Sequence, residues 1–119
     1  LNEETRMKEI KAIIQPHMLG RVMSALHELP HFPGVTVSDC QGQGRGRGKG
    51  GHYEAEEDTI YYVKKTKVEV FCADAAAEAI VETLRTAAHT GNAGDGIVMV
   101  MDVERVVRVR SGQEQDEAV

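Results

Sequence analysis

The residues most suggestive of chemistry stand close together. From Gly42 the run GQGRGRGKGG alternates glycine with Gln43, Arg45, Arg47 and Lys49, and Glu54, Glu56, Glu57 and Asp58 follow at once. Three chemistries would use such a segment: a phosphate cradle, an Arg-Gly segment for RNA, or a docking loop for a partner. The cradle fails on context. Gly46 to Gly51 matches G-x-G-x-x-G, but HYEAEED follows it instead of an apolar helix, so the strand, tight turn and helix N-terminus are not assembled. Gly50 after Lys49 breaks the Walker pattern as well. RNA binding on a sheet needs stacking aromatics, and this chain has no Trp, two Phe and three Tyr. The adjacent carboxylates would repel the phosphates that Arg45 and Arg47 attract.

Other constellations are poorer. His17, His27, His31, His52 and His89 are scattered, and Pro30 interrupts the one i,i+4 pair, His27 and His31, so no metal site is expected. Cys40 and Cys72 have no ligand-type spacing and read as reduced thiols of a cytoplasmic protein. No nucleophile–base pair or catalytic carboxylate frame appears, and no enzyme is expected. A glycine-rich loop this long inside a small domain points to function, with order supplied by a ligand or partner.

The elements that must carry this loop follow from hydrophobic period. Lys8 to Gln15 alternates as a strand and stops at Pro16. Met18, Leu19, Val22, Ala25, Leu26 and Leu29 recur at helical spacing, and PHFPG forbids continuation. Val35 to Cys40 and the β-branched Thr59 to Cys72 read as strands on either side of the loop. Asp74 is placed to cap a second helix with Ala77, Ile80, Val81, Leu84 and Ala88 on one face, and Gly91 to stop it. Ile97 to Val103 reads as a strand buried on both faces. The order βαβ–βαβ predicts an α+β ferredoxin-like sandwich, an antiparallel sheet with both helices on one face. Val68, Val70, Met99 and Met101 are expected on the bare face, to be covered by other subunits.

Bulk properties set the frame. At 119 residues the chain is one domain, and 41% hydrophobic with 28% charged residues is ordinary for a globular protein. A net charge of −5 argues against bulk nucleic acid as partner, and no apolar run is long enough to span a membrane. Residues 1–6 precede Met7 and read as a tag or start-site extension, with a domain at 7–113 and a tail at 114–119.

Five segments together carry a resemblance: MKEIKAIIQPHML, GVTVSDCQGQGRGRG, KKTKVEVFCAD, AAHTGNAGDG and DVERVVRVRSGQE. They are similar to the PII signal-transduction proteins, nitrogen-status sensors of bacteria and plants. The resemblance implies a homotrimer with ATP or ADP in clefts between subunits, with Mg²⁺, and a long T-loop, here about 43–60, that docks onto a regulated transporter or enzyme. Ile13 and Thr36 then fall where the family touches adenine, with Glu69, Gly42, Gly44 and Arg45 at the base of the loop. Gly94, Asp95 and Gly96 match the turn that wraps the phosphates, and Arg108 and Arg110 the pair that reaches them across a subunit boundary. Two residues apart on a strand, those arginines would share one side. Arg47, Lys49, Tyr53, Glu56 and Asp58 would face the partner, and Lys65 matches the residue that binds 2-oxoglutarate.

The match also departs from the family. Asp58 stands where many members carry a uridylylated tyrosine, Ile97 where they carry a phosphate-binding lysine, and Gly46 where a glutamine bridges Mg²⁺ and 2-oxoglutarate. These changes count against uridylylation and 2-oxoglutarate sensing. They also remove one cation per site. The chain looks like a divergent PII-like subgroup. The alternative reading is a metal-responsive module on the same scaffold, using His52 and the loop carboxylates.

Overall fold

The computed structural model describes residues 5–43 and 62–119. The segment 44–61, which contains Gly44, Arg45, Arg47, Lys49, Tyr53, Glu56 and Asp58, lies outside the described residues, as does His52. The described elements are β1 (Met7–Ile14), α1 (Leu19–His27), β2 (Thr36–Gly42), β3 (Val63–Ala73), α2 (Asp74–Ala88) and β4 (Gly96–Val103). Short 3-10 turns lie at Pro16–Met18 and Gln115–Ala118. The sheet order is β2-β3-β1-β4 with every pairing antiparallel, which is the ferredoxin-like sandwich expected from the sequence.

Alternation along the strands sorts their residues between two faces. Ile10, Ala12 and Ile14 of β1 and Val68, Val70 and Cys72 of β3 are at most 1% exposed. They join Val22 and Leu26 of α1 and Ala77, Ile80 and Leu84 of α2 in one core. Val68 and Val70 therefore lie under the helices, not on the bare face as expected. The pairings Ile10↔Val70 and Ala12↔Val68 carry the β1 alternation directly into β3, and a one-residue shift would turn one strand's apolar set away from the helices. The bare face instead carries Glu9, Lys11 and Ile13 beside Phe71, Glu69 and Lys67, with Met101, Met99 and Ile97 on the far side. It is a mixed charged and apolar surface, and of the four residues expected there only the two methionines belong to it.

Three further expectations are corrected. The β4 strand is an edge with none of its residues fully buried, because it pairs only with β1 and α2 covers only part of one face. Asp74 does not cap α2: Ala73 holds the cap position without a side-chain bond, and Asp74 sits 3.8 Å from Lys8 Nζ instead. The same lysine donates to Asp102, so one cation holds the start of α2 near the end of β4. Finally, α2 ends at Ala88, three residues before Gly91. The residue that turns the chain out of the helix is His89, in extended conformation.

The chain outside residues 7–113 makes contacts with this fold. Asp74 N–H donates to the Arg6 carbonyl at 2.8 Å, Gln115 Nε2 donates to the Thr5 carbonyl at 3.0 Å, and Ala118 is buried.

Candidate functional site

The loop between α2 and β4 is built around one carboxylate. Asp95 Oδ2 accepts from the backbone N–H of Thr90 at 2.7 Å and of Gly91 at 3.0 Å, and its Oδ1 accepts from the Thr90 hydroxyl. That hydroxyl oxygen in turn accepts from Asn92 N–H at 3.1 Å. These bonds, the Thr90 hydroxyl foremost, pull the Asp95 carboxyl down to about 2. Asp95 thus spends its acceptor capacity within the loop. It shapes the turn from within.

Close packing explains the glycine that ends the loop. Gly96 has φ +111, and a Cβ there would stand 1.7 Å from the Ile13 carbonyl oxygen. β4 begins so tightly against β1 that no side chain fits. On its other flank the loop is pinned by Lys65, whose Nζ donates to the Gly94 carbonyl at 2.6 Å. Lys65 lies on β3 two residues past Val63, where the strand leaves the undescribed segment. The ammonium and the backbone of the 90–96 loop are thereby held side by side, a cation beside glycine backbone of the kind that suits an oxyanion.

The candidate adenine residues Ile13 and Thr36 share the bare face with Glu69, which stands at the opposite end of the β2–β3 pairing from Gly42 and not at the base of the loop as expected. Thr36 pairs with Glu69, Glu69 pairs with Lys11, and Ile13 follows two residues along β1. Gly42 closes β2 opposite Val63, next to the segment outside the described residues. Nearby, partial burial raises the Glu9 carboxyl above its ordinary range, and a hydrogen bond with the Glu69 side chain adds to the shift. Ile97, paired with Ile13, is 60% exposed and presents an apolar surface at this end of the sheet.

Arg108 and Arg110 are not on a strand. After β4 the chain forms a hairpin closed by the Val107↔Glu114 bridge, with Arg108 N–H donating to the Gln113 carbonyl and Gly112 N–H to the Arg108 carbonyl, both at 2.8 Å. Arg105 pairs with Glu114 across it. Both candidate arginines stand at its exposed tip with Val109, which is fully exposed between them. The hairpin leaves the sheet at the Met7 end, whereas Gly96 begins β4 at the Ile14 end. One chain therefore does not bring the arginines and the 90–96 loop together. The two ends of β4 are about 25 Å apart, eight residues of strand.

Sequence reasoning missed Thr90 and His89, and it missed the tether from Lys65. The signal for Thr90 is a hydroxyl five residues before an aspartate across a glycine turn, the pattern of a side chain bonding local backbone. Among the described residues no group of three or more His, Cys, Asp or Glu could hold a metal ion. His27 instead packs edge-on to Phe32 with ring centroids 5.6 Å apart. Among the described residues, no helix is long and apolar enough to cross a membrane.

Comparison with known proteins gives a consistent picture. Residues 7–113 match the family described as Nitrogen regulatory protein P-II. The chain is 42% identical to the nitrogen regulatory protein P-II of Rhizobium meliloti (strain 1021), over 90% of this chain and 95% of that one. Its identity to the Azospirillum brasilense protein of the same name is 41%, covering 95% of this chain and all of the other. Among solved structures, Arabidopsis thaliana PII bound to citrate superposes with a TM-score of 0.77 at 31% identity, covering 98% of this chain and 94% of that one. These relatives are named as regulatory proteins, not enzymes.

Proposed function

Because this chain belongs to the nitrogen regulatory protein P-II family, we propose that it is a trimeric sensor of adenine nucleotide that regulates a partner, a transporter or enzyme, through the loop Gln43 to Ile60. ATP or ADP, with Mg²⁺, would occupy a cleft between subunits. The observation that carries this reading is the loop 90–96, an ordered glycine turn held by Asp95 from within and by Lys65 from the side. In that arrangement Gly94 to Gly96 would offer backbone N–H groups to phosphates, and the Lys65 ammonium would supply positive charge beside them. The patch of Ile13, Thr36 and Glu69 would receive the adenine, its carboxylate and hydroxyl offering hydrogen bonds and Ile13 an apolar contact. Arg108 and Arg110 would come from the neighbouring subunit. Bound nucleotide would favour one conformation of the partner loop, by no more than its differential affinity for the two states.

Calorimetric titration of ATP and of ADP, with Mg²⁺ present, tests this. The expected result is saturable binding near one nucleotide per chain. Arg108→Ala should weaken it at least tenfold, while Arg21→Ala, an exposed change on α1, leaves it intact. No binding, or equal effects of the two substitutions, would reject the assignment.

A further inference from the structure

We propose that His89 is a positioning residue of the 90–96 loop, and that its protonation tightens the loop's hold on nucleotide phosphates; this rests on the nucleotide reading above. His89 turns the chain out of α2 directly after Ala88, with φ −72 and ψ 127. It is thus the first residue beyond a helix whose last carbonyls concentrate negative partial charge. On the loop side, His89 Nδ1 lies 3.6 Å from Asp95 Oδ2. That is the oxygen that accepts the Thr90 and Gly91 N–H groups. A positive ring thus attracts the carboxylate that anchors the turn, and a neutral ring loses that attraction.

The surroundings leave this charge well defined. His89 and Asp95 border a cleft of about 290 Å³ between α2 and the start of β4. From β1 and β4 that cleft receives only Ile14, Gly96, Ile97 and Val98, none of them titratable. From α2 the one charged group is Arg85, which donates to Glu82 one turn back along its own helix. Lys65 reaches the loop at Gly94, next to Asp95. Among the described residues lining the cleft, Asp95 is thus the one acidic partner for His89. The tightening therefore comes with the ring's protonation, toward lower pH.

The test compares ATP and ADP affinity at pH 8.5 and pH 5.5 in the wild type and in His89→Gln. Protonation of the nucleotide's own phosphates is common to both proteins and divides out of the ratio. The two should bind equally at pH 8.5, and the wild type should bind about two- to fivefold more tightly at pH 5.5, the scale of an exposed ion pair. Amide exchange at Thr90 and Gly91 without nucleotide gives a second readout: protection in the wild type should rise relative to the variant as pH falls. Parallel pH profiles in both readouts would overturn the proposal. If neither protein binds nucleotide at any pH, the nucleotide reading fails and takes this affinity effect with it, and the amide profile alone decides whether His89 positions the loop.

Discussion

Lys65 on β3 and Gly94 in the loop before β4 are joined by a 2.6 Å hydrogen bond, although β1 lies between their strands in the sheet. The bond ties the strand that follows residues 44–61 to the turn that would hold phosphate. Replacing Lys65 with Met should keep the aliphatic stem and remove the tether. Nucleotide affinity should fall by about five- to tenfold, the scale of a charge-assisted bond that is partly exposed to water. Amide exchange at residues 91–95 should quicken even without ligand. Unchanged exchange would mean the loop stands without Lys65.

Gly96 and Gly20 offer opposite outcomes from the same substitution. Gly96→Ala drives a methyl into the Ile13 carbonyl at a positive φ. It should destabilise the fold by about 3 kcal/mol or more, by shifting β4 away from β1. Gly20 lies in α1, where an added methyl would meet nothing within 4 Å, and Gly20→Ala should stabilise by about 0.5–1 kcal/mol. Urea denaturation of both variants checks the pair.

The Asp95 carboxyl titrates at about 2, below the ordinary value of 3.8. Its native pKa is depressed, so its contribution is complete above the unfolded value and is lost as pH falls through the native one. The loop should hold its order down to about pH 4 and lose it progressively toward pH 2. Amide signals of Thr90 and Gly91 would report the loss. Asp95→Asn should show a looser loop at neutral pH and no such transition.

The two free cysteines should separate by reactivity. Cys40 is half-buried on the edge strand β2, whereas Cys72 is 1% exposed, and burial raises its thiol above the ordinary range. A thiol reagent should modify Cys40 in the native protein and reach Cys72 only on unfolding. Rapid modification of both would contradict the core described for β3.

How much of this is legible in the sequence depends on the range of the interaction. Alternation in Met7–Ile14 and the helical period in α1 and α2 are local signals, and those elements form where their periods place them. The faces of β3 are not legible in the same way, because alternation reveals two faces without saying which meets the helices. The pairing of Val70 with Ile10 decides that, across sixty residues of chain. The edge position of β4 is likewise invisible, since its apolar run reads the same whether one neighbour or two will cover it. The resemblance singles out Asp95 and Gly96, but their structural duties, an internal anchor and a close approach, need coordinates. The Arg108 and Arg110 hairpin reads as a strand because its i,i+2 pattern is common to both, and Gly112 is the overlooked sign of a turn.

The opposite placement of the 90–96 loop and the arginine hairpin has a geometric result. If each cleft takes its loop from one subunit and its arginines from the next, the contact joins unlike surfaces. Such a head-to-tail contact, repeated by one rotation, either closes into a ring or runs on as a filament; it cannot stop at two copies with all sites complete. Closure is then part of the sensor's chemistry. A ring missing one member would lose two complete sites while losing only one subunit, so nucleotide occupancy would fall more steeply than protein concentration on dilution.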